Sequence, residues 1–325
     1  MKALHGRWSL KIVLASVALL APYCAGAQEY PAREIHAICN FPAGTGADIY
    51  VRYFSERLSK VAGKPVIVEN KAGALGVVGT EAAAKAKPDG YTIYIAPGSS
   101  SHGASVHLFK KLPFDPIKDF TSVTTLAKLV FVMVVDPKSP YQSVADLTAA
   151  LKKKGKGVYG TTAPTALVAS EMYKKLAGVQ ATKVQYKDYQ TPMNDMYAGN
   201  IDFFFGDSSF VVEQVKAGRL RALATAGARV SALPNVPSMV EAGLKGYPDL
   251  SPWWAVYVPA KTPQPIVKKL EGWFNQIVAS PETKTWLNNL AAEPMPGNGK
   301  LAHDMLVKEI KAWGEYVKIA GIPPM

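Results

Sequence analysis

Three short stretches hold the residues best suited to chemistry. Phe41-Pro42-Ala43-Gly44-Thr45-Gly46 follows an apolar, strand-like run from Ile35 to Asn40 and precedes a helical pattern beginning near Ala47. A helix N-terminus carries unpaired N–H groups and a partial positive charge, so such a loop suits an anion. Thr45 adds a hydroxyl donor, and Asp48, in the first helical turn, complements the dipole and can cap the loop amides. Gly98-Ser99-Ser100-Ser101-His102 and Thr161-Thr162-Ala163-Pro164-Thr165 occupy comparable positions, as polar loops at the ends of two further strands. Hydroxyls and amides with few fixed charges suit a carboxylate held by neutral donors. Nothing in them does chemistry on it.

Enzyme signatures are missing from the sequence: it has no HExxH, GxSxG, CxxC or GxxxxGK[ST]. His36, His102, His107 and His303 are too scattered for a metal cluster, and no metal is expected. Gly44-Thr45-Gly46 hints at a dinucleotide loop, but Ile49 stands where the third glycine belongs, so no cofactor is expected either. The chain is basic, with 37 Lys and Arg against 25 acidic residues, yet the charge is spread along helices as in Lys268-Lys269 and Lys308/Lys311. Nucleic-acid binding requires a clustered patch.

The elements that position these stretches are legible from their punctuation. The first strand leads into a helix to about Val61, then a strand at Pro65–Glu69, an Ala-rich helix ending at Lys85, a Pro88-Asp89-Gly90 turn and a strand at Tyr91–Ala96. Leu129–Val135 is a continuous apolar run, as a doubly covered strand should be. A second unit follows, with strands at Val158–Gly160, Thr182–Tyr186, Ile201–Phe205 and Ala222–Ala226 and helices at Val144–Lys153, Pro164–Ala177, Met193–Ala198 and Val211–Ala217. Trp254–Val258 is a late strand, followed by helices at Gln264–Ala279 and Lys300–Ala320. Alternating strands and helices indicate α/β units with parallel sheets, and ligands of open α/β sheets lie outside the carboxyl ends of the strands. The chain passes between the units near Thr124–Val130 and Leu250–Trp254.

The first 27 residues read as a cleavable signal peptide. Lys2, Arg7 and Lys11 precede an apolar run from Ile12 to Ala21, too short to span a bilayer, and Ala25-Gly26-Ala27 supplies the small residues of a cleavage site. Export to the periplasm as a soluble protein is the expectation. Cys24 leaves with the signal, so Cys39 is the one mature cysteine and no internal disulfide forms.

The series Phe41-Pro-Ala-Gly-Thr-Gly-Ala-Asp48, Val66-Ile-Val-Glu-Asn-Lys-Ala-Gly-Ala-Leu-Gly76, Pro88-Asp-Gly-Tyr91, Lys111-Leu-Pro-Phe-Asp-Pro-Ile-Lys-Asp-Phe120, Lys216-Ala-Gly-Arg-Leu-Arg-Ala-Leu-Ala224 and Leu233-Pro-Asn-Val-Pro237 resembles the Bug family. These are the extracytoplasmic solute receptors of tripartite tricarboxylate transporters. The resemblance covers residues 30–322 and implies a two-lobed periplasmic-binding fold of type II-like α/β architecture, each lobe a mixed or mostly parallel sheet flanked by helices, with the ligand between the lobes. Residues 28–126 plus 252–325 would form one lobe and 127–251 the other. The resemblance further implies a small carboxylate ligand, a two-subunit membrane carrier as partner, and a site drawn from Phe41, Ala43, Gly44, Thr45, Asp48, Ala74, Leu75, Ser99, Ser100, Ser101, Thr161, Thr162 and Thr165.

Departures from the family pattern bear on the ligand. Thr45 and Leu75 replace glycines, and Gly206-Asp207 stands where Asp-Asn or Asp-Ser is common, which weakens the case for an amino-group ligand. Trp253-Trp254 reads either as core or rim packing or as a stacking wall for an aromatic ring. The specific expectation is a monomeric receptor for an aromatic dicarboxylate such as terephthalate, with Asp207 and Trp254 at the site. The alternatives are an aliphatic di- or tricarboxylate, a loaded receptor that touches a sensor ectodomain, and a periplasmic hydrolase, against which the lack of a nucleophile–base pair argues.

Overall fold

The apolar run after Arg33 forms the strand β1 (Ile35–Cys39), and Thr45 then starts α1 (Gly46–Ala62) as its N-cap, accepting a hydrogen bond from the Asp48 amide at 3.4 Å. Gly63 ends the helix in the left-handed conformation, φ 67°. Tyr50, Val51, Phe54 and Leu58 fall on one face and are fully buried, each contributing about 1.5–3 kcal/mol relative to exposure. β2 (Val66–Asn70), α2 (Val77–Ala84) and β3 (Thr92–Pro97) complete a βαβαβ unit in which β1 pairs parallel with β2 and β3. The computed structural model describes residues 29–325; the expected signal peptide lies outside the described residues.

The chain continues through α3 (Ser105–Leu108), β4 (Phe120–Leu129), β5 (Phe131–Val135), α4 (Val144–Lys154), β6 (Gly157–Thr161), α5 (Pro164–Ala177), β7 (Ala181–Gln185), α6 (Gln190–Tyr197), β8 (Phe203–Asp207), α7 (Ser208–Lys216), β9 (Arg221–Thr225), β10 (Trp253–Pro259), α8 (Gln264–Ala279), α9 (Pro281–Asn289), β11 (Ala292–Pro294) and α10 (Gly299–Ala320). Two sheets result, ordered β11-β4-β10-β3-β1-β2 and β7-β6-β8-β5-β9. Both are mixed: β10 runs antiparallel to β3 and β4, and β5 antiparallel to β8 and β9. Residues 33–325 form one unit carrying both sheets, while residues 29–32 have no regular secondary structure.

Four expectations shift. Leu129–Val135 is not one strand: β4 ends at Leu129 in the first sheet and β5 starts at Phe131 in the second. Both sides of the break are buried, so the apolar run shows no seam. The Thr-rich body of β4 was not legible as a strand, because Thr124 and Thr125 are fully buried in spite of their polarity. The third strand of the second unit is displaced by two residues, to Phe203–Asp207, which puts Gly206 and Asp207 inside it. The stretch Gly98–Ala104 is not a loop but a π-helical turn, buried at every residue. Its His102 stacks on Tyr257 at 4.4 Å beside Tyr94 and Phe120, and burial pushes its pKa down to about 3, so the ring is neutral.

Candidate ligand-binding site

The carboxyl ends of β1, β3, β6, β7 and β8 converge on one cleft. From the first sheet it is lined by Phe41, Thr45, Gly46, Ala47, Pro97, Ser100 and Trp254; from the second by Phe131, Thr162, Ala163, Lys187, Tyr189 and Asp207; Leu129 and Pro252 close it where the chain passes between the sheets. Its empty volume, including the part open to solvent, is about 510 Å³. Apart from Lys187 and Asp207, its polar groups are hydroxyls and amides.

At one end stands the start of α1. The Thr45 hydroxyl donates to the Pro42 carbonyl at 2.7 Å and caps Asp48, so it is engaged by the protein, contrary to the expected free donor. That cap leaves the Gly46 and Ala47 amides with no acceptor among the described residues, and both residues line the cleft. Asp48 faces away from the cleft. Its carboxylate accepts from Gly44 N at 2.9 Å, Arg52 Nε at 2.8 Å and Asn70 Nδ2 at 2.8 Å. Burial pushes this carboxyl up, but Arg52, Gly44 and Asn70 outweigh it and hold it below its ordinary value. Asp48 therefore braces the loop.

Asp207 behaves in the opposite way. It ends β8 opposite Phe131, caps α7 through Phe210 N at 3.2 Å, and accepts from Tyr189 Oη at 2.7 Å and from Ser209 Oγ. Burial raises its pKa despite these donors, and among the described residues it has no ion-pair partner. Gly46 is required on the facing side, because a Cβ there would overlap Asp207 Oδ1 and Ser209 Oγ.

Trp253 and Trp254 separate by strand alternation. Trp253 is 1% exposed and packs in the core of the first sheet, against Gly98. Trp254 lines the cleft and is backed by Tyr50, parallel at 11° with ring centroids 5.0 Å apart. Tyr50 is wedged in turn against Trp286 at 5.3 Å.

The remaining candidates disperse. Thr162 lines the cleft with its hydroxyl unpartnered; Thr161 donates to the Ala163 carbonyl at 3.3 Å, and Thr165 is buried away from the cleft. Ser100 faces the cleft, whereas Ser101 accepts from Asn40 Nδ2 at 2.8 Å and Ser99 faces a different cavity. Ala43 and Gly44 are exposed on the loop, outside the cleft lining. Ala74 and Leu75, with left-handed φ of 44° and 53°, line an outer cavity of about 1100 Å³, including the part open to solvent, that shares Phe41, Thr162 and Lys187 with the cleft. Sequence reasoning missed Lys187 and Tyr189. Lys187 lies two residues past the end of β7, so the strand-end rule applied to Thr182–Tyr186 would have found it. It is exposed and forms no ion pair among the described residues. Among those residues no three His, Cys, Asp or Glu converge as metal ligands, and no helix is long and apolar enough to cross a membrane.

Residues 50–322 match the family described as tripartite tricarboxylate transporter family receptor. The chain belongs to that receptor family. Its members are substrate-binding receptors, not enzymes. The family reading agrees with relatives along nearly the whole chain: the protein BugT of Bordetella pertussis is 29% identical over 316 residues, covering 95% of each chain. An Agrobacterium vitis protein encoded in the TAR-I ttuE-ttuC' intergenic region is 34% identical over 80% of this chain and 75% of its own. Among solved structures, R. palustris Rpa4515 with adipate is similar at a TM-score of 0.87 and 29% identity, covering 91% of this receptor and 100% of that chain. The periplasmic binding protein BugD is similar at 0.85 and 25%, covering 91% and 100%.

Proposed function

We propose that this receptor works in the periplasm, where it closes on a small dicarboxylate with an apolar spacer and delivers it to a two-subunit membrane carrier. The observation that carries the ligand class is the cleft itself: amides of Gly46 and Ala47 with no acceptor among the described residues, the Lys187 ammonium on the opposite sheet with no ion pair among them, and the apolar lining of Phe41, Phe131, Pro97 and Trp254. An anionic group at each end and a carbon spacer in the middle match that pattern. The adipate held by Rpa4515 supports an apolar-spaced dicarboxylate. The flat face of Trp254, stiffened by Tyr50, favours an aromatic spacer such as that of terephthalate as a second reading.

The two sheets are the moving parts in this reading. The first sheet is carried by residues up to Leu129 and from Trp253 on, the second by residues 131–225, linked at Val130 and near Pro252, and closure brings Thr162 and Lys187 onto a ligand seated at α1, where Asp207 already lies against Gly46. A thermal-shift panel on the refolded chain from residue 28 tests it. Adipate or terephthalate at about 100 times its dissociation constant should stabilise the fold by about 2.7 kcal/mol. Monocarboxylates of the same length should do less, and Lys187→Met should weaken the dicarboxylate about 10–100-fold. Equal response to mono- and dicarboxylates would remove Lys187 from the site, and no response to any acid would overturn the reading.

A further inference from the structure

A second cavity lies on the other side of the π-helical turn, with an empty volume of about 700 Å³ including the part open to solvent. Its walls are α10, which supplies Glu309, Trp313 and Tyr316, and the Asp249–Ser251 segment that leads from the second sheet back to β10. Two of its polar groups are incompletely used. Ser99 is 1% exposed and its hydroxyl makes no hydrogen bond among the described residues, although the residue lines the cavity. Glu309 accepts from Trp313 Nε1 at 3.1 Å through Oε2, and no cation pairs with it among the described residues. Burial raises its pKa, opposed by the Trp313 and Trp253 indoles and reinforced by Asp249. Of the other charges, Asp249 holds Lys128 at 3.2 Å and caps Ser251, while Lys308 lines the cavity as well, exposed and with no ion pair among the described residues. Trp313 and Tyr316, edge to face at 5.9 Å, supply an apolar, electron-rich wall.

We propose that this cavity binds a primary organic ammonium compound, its nitrogen held by Glu309 and Ser99 and its carbon chain laid against Trp313 and Tyr316. A carboxylate, a hydroxyl acceptor and aromatic faces are the groups that receive an N–H-bearing cation. The site is separate from the carboxylate cleft, yet Ser99 and Ser100 are consecutive and line one cavity each, so the two share the π-helical turn. The proposal does not depend on the identity of the cleft ligand.

Tryptophan fluorescence of the mature chain, titrated with n-butylamine and putrescine, tests it, with n-butanol and tetramethylammonium as probes lacking the charge or the N–H donors. Both amines should give a saturable change and both controls should not. Glu309→Gln keeps an acceptor for the Trp313 indole and should weaken the amines about 10–100-fold. Should that variant fail to fold by circular dichroism, Ser99→Ala, expected to weaken them about 3–10-fold, takes its place. Thr162→Val, in the cleft, should leave amine binding unchanged. Absence of saturation, equal binding of tetramethylammonium, unchanged affinity in the folded Glu309 or Ser99 variant, or loss in Thr162→Val would each overturn the site.

Discussion

Two buried aspartates show how environment divides one side-chain type between two tasks. Asp48 is surrounded by donors, so its ionised form is favoured in the fold. A depressed folded pKa contributes stability that is present above the unfolded value and is lost as pH falls through the folded one. Asp48→Ala strands Gly44 N, Asn70 and Arg52 and should cost about 1–3 kcal/mol at neutral pH, a difference that shrinks in acid when Tm is followed against pH. Asp207 has the opposite sign. Its raised pKa favours the protonated form in the fold, and its stabilising effect fades as pH rises from the ordinary carboxylate value through the folded one. A protonated Asp207 offers an O–H donor to a bound carboxylate, so dicarboxylate affinity should fall as pH rises through that window. Asp207→Asn, which keeps a donor, should flatten the profile. The ligand's own titration is common to both proteins, so parallel profiles would remove Asp207 from the proton balance of binding.

At the scale of elements, α1 and β8 meet through Gly46. The glycine belongs to the first sheet's loop, and the atoms a Cβ would overlap belong to Asp207 and Ser209 of the second. Gly46→Ala should therefore cost about 1–3 kcal/mol by overpacking, and appreciably less when combined with Asp207→Ala. A double-mutant cycle on Tm reads the coupling, and strict additivity would show that the two elements do not press on each other in solution. The capping of the Gly44 amide by Asp48 was visible in the sequence because caps are local, set by residues within one turn; the Thr45 cap and the tie from Asp48 to Asn70 were not. The register of β8 was not visible: Phe203, Phe204 and Phe205 are all buried, so the apolar pattern carries no parity with which to place Asp207.

At the scale of the whole molecule, the chain passes between the sheets at Val130 and near Pro252, and these strands are tied by Leu129 N to the Pro252 carbonyl at 2.9 Å and by the Lys128–Asp249 ion pair. That ion pair is exposed and contributes little to stability, about 0–1 kcal/mol. Closure should accordingly be driven by ligand. A dicarboxylate that stabilises the protein should also reduce its radius of gyration in solution scattering, and Gly46→Ala should blunt that compaction. Stabilisation with no change in size would place the unliganded protein already in its closed form.

Local chemistry and short-range pattern in the sequence determined the α/β class, most helix boundaries, the glycine-rich turn at Phe41–Gly46 that opens a helix, and the resemblance to a receptor family. These depend on residues close in the chain, where caps, turns and the period of apolar positions act directly. Only the tertiary structure decided which of neighbouring residues lines the cleft: Trp254 and not Trp253, Ser100 and not Ser99 or Ser101, Thr162 and not Thr161. Each choice turns on one residue of strand or helix phase, and when both faces of an element are buried the sequence offers no contrast between them. Lys187 and Glu309 have the same origin. An exposed lysine and a helical glutamate are ordinary in a sequence, and the roles proposed for them rest on what the fold sets opposite them.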